Sequence, residues 1–573
     1  MDKTKLTGAQ SAVKAIEECG IDHFFYVEGG IFPLFPEISA SKVKSVLCRN
    51  EKGACLMADG YARVSRKPTM CYAQHGAAAA ILASVMYEPN FAHSPVVAFT
   101  GSVPTLAKDQ YSYQECYEEP YFESTCKFNI DVTDVSRIPD YIRIGTQIAV
   151  SGCPGPVHIG IHNDMGDKPA EMARIQGDET FYSVPPFRPT AEPTRVMQAA
   201  NLLIDARNPV MICGSGVHLS GAYDEVRSIA ELMSIPVATN YNGKGAFPEM
   251  HPLSIGVTGT YGREVTNGIV RDADLVFFVG TRAGRHMTEE FTAPEIGKPK
   301  IIHLDIDPMP IGRIYKPDVP LLGDARETLR SMLIYLREKI SKQIDRREAL
   351  EKIHARIREY ERIVDPLMAS DSVPIKPQRL LKEISHALKE EDIVVCDTAH
   401  CISWTSRLLK MSKSGIHYVP CCGTLGSGLP LGLGASFAAK SEQRILTFVG
   451  DGGITYSISE LETAARLKDK IAPFVVVVNN NSAFASSRGR LLREGGVSKP
   501  PENVPWTDFS NVDYAKVAQG FGCYGTTVER PGEISEAIKA GYESGKPALI
   551  DVKTDKLEVA PSGRPRINDV TSY

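Results

Sequence analysis

Between Arg444 and Ser482 the chain reads RILTFVGDGGITYSISELETAARLKDKIAPFVVVVNNNS, two short apolar runs on either side of a helix-length segment. The second run, beginning at Phe474, is β-branched and too short for a buried helix, so it is expected to form a parallel strand buried on both faces. The first run, ending at Gly450, is expected to be its neighbour. Ser457-Ile-Ser-Glu460 has the spacing of a capping box, which sets the expected start of the intervening helix and turns its peptide dipoles toward the Gly-Asp-Gly turn. A strand–turn–helix–strand unit of this kind belongs to a doubly wound α/β sheet and presents both strand ends on one edge.

That edge collects oxygens. Asp451 offers a carboxylate, Asn480 an amide oxygen and Ser482 a backbone carbonyl, while Gly452 and Gly453 let the backbone approach a ligand closely. Half an octahedron of hard oxygens suits Mg²⁺, with phosphate oxygens and water completing the shell, and nothing nearby supplies the thiolate or imidazole cluster that zinc prefers. A lone Gly-Asp-Gly or Asn-Asn is an ordinary turn. The joint pattern, with 26 residues between the two, resembles the thiamine diphosphate motif.

At 573 residues the chain has room for about three domains. The alternation of helix and strand patterns places three consecutive doubly wound parallel-sheet domains at 1–182, 190–338 and 373–556, with a charged helical linker at 339–372 and a polar tail at 557–573. Lys and Arg number 64 against 69 Asp and Glu, a net charge of −5, so no basic field points to nucleic acid. No apolar run is long enough to span a membrane, and the N-terminal stretch lacks the apolar core of a signal peptide. The 13 cysteines show no paired CxxC spacing. A cytoplasmic enzyme acting on small molecules is the expectation.

Further motifs extend the resemblance over the whole chain. RNEKGACLMADGYAR, DQYSYQE, SGCPGPVHIGI, NGKGAFPEMHPLSIG and GTLGSGLPLGLGA resemble, in that order, motifs of the acetolactate synthase-like family of thiamine diphosphate-dependent enzymes. The resemblance implies a pyrimidine-binding domain, a central domain and a diphosphate-binding domain. It makes Glu51 the carboxylate that shares a proton with the pyrimidine ring and so activates the coenzyme. It makes Leu425 the apolar wedge beneath the bent coenzyme, flanked by Thr424, and sets Asp397 and His400 at the other strand end that receives the diphosphate. Because Glu51 and Asp451 lie in different domains, the resemblance implies a homodimer or a dimer of dimers. In the central domain, Arg282 and Asp305, with Asp307, match a segment that contacts FAD in some relatives and ADP in others; some relatives leave this domain empty.

Departures from the family pattern concern the substrate. His75, 24 residues beyond Glu51, stands where a serine is common and is either an acid–base group or a structural imidazole. An imidazole there is similar to a diketone-cleaving relative. Gln114, with Tyr113 and Lys127, falls on positions resembling the substrate loop, and Glu28 replaces a proline. Arg488, Arg490 and Arg493 follow the metal ligands; they either bind a carboxylate or acyl-CoA phosphates, or form a solvated basic loop. The expected activity is 2-oxo acid decarboxylation with carboligation, a transferase reaction. A 2-hydroxyacyl-CoA lyase or diketone hydrolase is the alternative, and a catalytically silent nucleotide-binding subunit is the alternative outside enzymes.

Overall fold

The computed structural model describes residues 6–171, 174–494 and 501–560, the side chains of 492–494 excepted. Three six-stranded sheets follow one another along the chain, and every strand pair within them is parallel. In spatial order the first is Lys44–Leu47, His23–Tyr26, Thr69–Ala73, Val96–Ser102, Val157–His162, Asn129–Val132. The third is Tyr418–Pro420, Ile393–Cys396, Ile445–Gly450, Phe474–Asn480, Ala548–Lys553, Tyr524–Val528. Numbered afresh within each sheet, both have the order 2-1-3-4-6-5. The central sheet, from Pro209 to Leu322, has the order 6-5-4-1-2-3. The first and third domains are thus two copies of one topology with a differently wound domain between them.

The central strands are those with the strongest apolar runs. Val96–Ser102 and Phe474–Asn480 are buried at all seven positions, as a strand covered by helices on both faces must be. The edge strands Lys44–Leu47 and Tyr524–Val528, absent from the sequence-based expectation, are largely exposed or half-exposed and lack that signal.

The first and third domains share one hydrophobic core, to which Met57 and Ala58 contribute from one side and Leu431 and Leu433 from the other. Its centre is the crossing of the helices Glu51–Ser65 and Gly428–Ala438. A Cβ added at Gly60 would lie 2.0 Å from the Leu431 carbonyl oxygen, and one at Gly434 would lie 2.0 Å from that of Met57. Each helix therefore places a glycine against the other's backbone, and only a missing side chain permits so close a crossing.

Between the central and third domains the helix Arg347–Met368 has no fully buried residue, in keeping with the mixed charges that marked it as solvated. Of the 557–573 tail, Leu557–Ala560 are described and the rest lies outside the described residues. Among the described residues no helix is long and apolar enough to cross a membrane.

Candidate active site

The Ile445–Gly450 strand ends at Asp451, and its neighbour runs in register with it so that Gly450 lies beside Asn479. Asp451 is buried; one carboxylate oxygen accepts from the Gly452 N–H at 2.8 Å and the other from the Ala483 N–H at 3.1 Å. The Asn480 amide nitrogen donates to Asp551 at 2.8 Å, while its oxygen accepts from the Ser482 N–H at 3.3 Å. Ser482 itself adopts a left-handed conformation, φ 54°. The structure therefore brings Asp451, Asn480 and Ser482 together at two adjacent strand ends.

These residues fit a hard divalent cation. Burial pushes the Asp451 carboxyl up to about 7, since its ionised form meets backbone N–H groups and no positively charged side chain. A cation would supply the missing compensation. Among the described residues no cluster of three or more His, Cys, Asp or Glu side chains offers a softer site. A Cβ at Gly452 would meet the Phe484 ring at 2.5 Å, and one at Gly453 the Asp397 carboxylate at 2.4 Å, so both glycines are fixed by crowding.

Asp397 is also buried and acts within this cradle. Its carboxylate accepts from the Thr398 N–H at 2.7 Å and the Gly426 N–H at 3.2 Å, and burial pushes it up to about 7. It ties the Thr424–Gly426 turn to the strand end and so anchors the cradle. His400 opens the helix His400–Leu408 just beyond, following Ala399 at φ 59°. Leu425 is half-buried between Gly423 (φ 144°) and Gly426 (φ 84°), not sunk in the core as an ordinary leucine would be.

The capping box expected at Ser457 is absent. The helix begins at Glu460, a short helical turn Asp451–Ile454 precedes it, and the Ser457 hydroxyl donates to the Gly426 carbonyl at 2.8 Å. The Glu460 carboxylate, fully buried, reaches the first domain instead. It accepts from the backbone N–H groups of Arg49 at 3.1 Å and Asn50 at 3.2 Å, where the Glu51–Ser65 helix starts. A Cβ on Gly53 would lie 2.1 Å from this carboxylate. The reciprocal bond comes from Glu88 of the first domain, which accepts from Cys422 N–H at 2.7 Å and Thr424 N–H at 2.5 Å. Local sequence around Glu88, in YEPNFA, gave no signal for this contact.

Glu51 is the first residue of its helix and is half-buried, with Asn50 capping the helix through the Gly53 N–H at 2.8 Å. Within the chain, among the described residues, no hydrogen bond or ion pair joins it to Asp451 or Leu425. His75, Tyr113 and Gln114 do come together. The His75 Nε2 lies 3.1 Å from the Tyr113 carbonyl oxygen, and Nδ1 lies 3.3 Å from the Asn163 amide nitrogen. A carbonyl can only accept, so Nε2 carries the proton and Nδ1 accepts from Asn163. Both ring nitrogens are engaged by protein. Gly76 (φ 66°) packs on Gln114, whose own φ of 56° is left-handed.

Other candidates have structural partners. Lys127 donates to the carbonyls of Ile148, Ser151 and Cys153 at 2.6, 2.8 and 2.8 Å, closing the C-terminal end of the helix Ile138–Val150. Arg488 is fully buried on Asp508 and the Pro501 carbonyl, so it is unavailable to a ligand anion. Arg490 and Glu28 are exposed, and the Arg493 side chain lies outside the described residues.

In the central domain Arg282, Asp305 and Asp307 line one cavity of about 230 Å³. Arg282 lies over the Phe91 ring at 5.1 Å. Asp305 ends the strand Lys300–Asp305, and burial pushes its carboxyl up to about 6. GSGVHLSG, which departs from a dinucleotide fingerprint, forms a turn and the short helix Ser215–Ser220, where a Cβ on Gly216 would meet Gly280 Cα at 2.6 Å.

Comparison with known proteins gives the class of such a molecule. Family models of thiamine pyrophosphate enzymes match in three places: the N-terminal TPP binding domain over residues 6–120, the central domain over 196–332 and the C-terminal TPP binding domain over 397–552. The chain is 30% identical to a probable acetolactate synthase large subunit of Methanocaldococcus jannaschii, over 97% of this chain and 93% of the relative. It is 30% identical to the acetolactate synthase large subunit of Corynebacterium glutamicum, over 96% of this chain and 86% of the relative. An acetolactate synthase of Mycobacterium bovis is 27% identical over 99% of this chain and 94% of its own. The chain belongs to the acetolactate synthase-like family of thiamine diphosphate-dependent enzymes.

Proposed function

We propose that the protein is a carboligase of the acetolactate synthase type, joining the two-carbon remnant of a decarboxylated 2-oxo acid to a second carbonyl. The observation that carries this reading is the oxygen set of Asp451, Asn480 and Ser482 at adjacent strand ends, in a chain collinear with acetolactate synthases. When bound, thiamine diphosphate supplies the carbanion-stabilising centre for both half-reactions. Asp451, the Asn480 amide oxygen and the Ser482 carbonyl would hold Mg²⁺ on its diphosphate, with Gly452 and Gly453 leaving room for the anion. Leu425, raised between two glycines, would support its folded shape and so the approach of base to acidic carbon. Glu51 would share a proton with the pyrimidine ring nitrogen.

Two chains complete the site in this reading, because among the described residues no hydrogen bond or ion pair joins Glu51 to Asp451 within one chain. Self-association as a homodimer, or as a homotetramer built from dimers, follows. His75 holds the Tyr113–Gln114 turn that frames the substrate, and its engaged nitrogens speak against the diketone-cleaving alternative. The buried Arg488 removes one support for acyl-CoA recognition. In the central cavity Arg282 and Asp305 suit the phosphate and ribose of an adenosine diphosphate group, a part common to FAD and ADP. The thirteen cysteines are free thiols, which supports a reducing, cytoplasmic setting.

The test is pyruvate turnover with thiamine diphosphate and Mg²⁺, reading acetolactate formation against carbon dioxide release. Acetolactate in stoichiometric yield is expected. Carbon dioxide with acetaldehyde alone, or no turnover, would overturn the carboligase reading. Nucleotide released on denaturation, identified by mass, tests the central cavity.

A further inference from the structure

A second, larger cavity of about 560 Å³ lies away from the coenzyme cradle, where the linker helix Arg347–Met368 meets the central and third domains. Two buried guanidinium groups stand at its wall. Arg263, 6% exposed, donates through Nε to the Arg407 carbonyl at 2.9 Å. Arg407, 3% exposed, donates to the Ser403 hydroxyl at 2.5 Å, the Glu264 carboxylate at 3.2 Å and the Thr260 carbonyl at 3.4 Å. Among the described residues Glu264 is the one carboxylate paired with either arginine, and its side chain is half-exposed. The two terminal nitrogens of Arg263 have no hydrogen-bond partner among the described residues.

A guanidinium whose Nε is committed and whose terminal nitrogens are left open on the cavity wall offers a charged fork to an anion. The cavity's own carboxylates are mostly paired with other cations, two of them on the same wall: Glu361 with Lys410 at 3.0 Å, Glu390 with Lys413 at 3.2 Å and Asp392 with Arg444 at 2.5 Å. Asp365 is exposed and makes no ion pair with Arg263. Lys382 and Lys389, also on the wall, have no ion pair among the described residues. The remaining fork of Arg263 matches the two oxygens of a carboxylate. Around it Met250, Val364, Met368 and Met411 form an apolar and adaptable surface, and the volume is that of a small-ligand pocket.

We propose that this cavity is a binding site for a small monocarboxylate with an aliphatic body, its carboxylate on Arg263 and its chain among the methionines. Its walls come from the central domain, the linker helix and the third domain, so an occupant fastens all three together.

Hexanoate is the probe, with inorganic phosphate beside it, titrated calorimetrically into the full chain holding thiamine diphosphate and Mg²⁺. Hexanoate is expected to bind once per chain, raise the melting temperature and slow amide hydrogen exchange in segments 360–368 and 407–413. Arg263→Gln should weaken it roughly tenfold or more, the loss of a charge-assisted fork. Met368→Trp, which fills the cavity from the linker and leaves Arg263 in place, should do the same and decides the matter if Arg263→Gln does not fold. No hexanoate binding, equal binding to the variants, or protection confined to other segments would overturn the proposal. Binding of phosphate without hexanoate would overturn the assigned ligand class.

Discussion

Glu88 and Thr424 are 336 residues apart in sequence and 2.5 Å apart in space, a carboxylate of the first domain on a backbone N–H of the third. Its counterpart is Glu460 on Arg49 and Asn50, running in the opposite sense. Each carboxylate satisfies two backbone donors in a turn next to a residue of the proposed chemistry, Leu425 in one case and Glu51 in the other. Leaving such donors buried and unmet costs about 1–3 kcal/mol each. Glu88→Ala should therefore lower stability by about 2–4 kcal/mol and weaken coenzyme binding by disordering the Leu425 turn. Denaturant unfolding and coenzyme titration measure the two effects; wild-type values for both would remove Glu88 from this role.

Burial pushes the Glu460 carboxyl from 4.5 up to about 7. A group raised in this way takes up a proton on folding, so its stabilising contribution is complete below its ordinary value and disappears as pH rises through the folded one. Glu460→Gln keeps an acceptor oxygen without the charge. Its melting temperature should match wild type near about pH 5 and exceed it near about pH 8. A gap independent of pH would mean that Glu460 is ionised throughout.

Alanine in a helix interior ordinarily gains about 1 kcal/mol over glycine. At Gly434 the sign reverses, because the new methyl would sit 2.0 Å from the Met57 carbonyl oxygen and neither backbone can move alone. Gly434→Ala should cost about 2 kcal/mol or more, and Gly60→Ala should behave likewise. A stabilised variant in either case would contradict the close crossing of the two helices.

Asp451→Ala should abolish the Mg²⁺ dependence of thiamine diphosphate retention while leaving the overall fold intact. Gel filtration with coenzyme fluorescence reads this directly, and unchanged Mg²⁺ dependence would exclude Asp451 from the metal shell. Glu51→Gln, in contrast, should retain coenzyme and lose roughly 10²-fold or more in turnover. Full activity in that variant would reject the proton-sharing role.

With both imidazole nitrogens occupied, His75 should act by position. His75→Asn is expected to raise KM several-fold and leave the shape of the pH–rate profile unchanged. Loss of a limb of that profile would restore an acid–base role.

The three α/β domains were legible because their central strands carry dense β-branched runs; FVVVV marks the strand Phe474–Asn480, which the structure buries at all seven positions. Edge strands such as Lys44–Leu47 were not, since an exposed edge has no pattern to distinguish it from a loop. The meeting of Asp451 with Asn480 at adjacent strand ends was readable because a local strand–helix–strand unit ties them. Glu460 looked like a local helix cap, and only tertiary structure shows that its partners lie 411 and 410 residues earlier. The partners of Lys127 and Arg488 were open for a related reason: a cation in sequence looks the same whether it meets a ligand or the carbonyls and carboxylates of its own chain.

The identical winding of the outer domains gives the seam between them a form of redundancy. Its two acid clasps come from opposite partners, Glu88 from one domain and Glu460 from the other, so severing one leaves the other and the shared core to keep the halves together. Gradual loosening, ahead of outright separation, is the failure such a molecule is built to show.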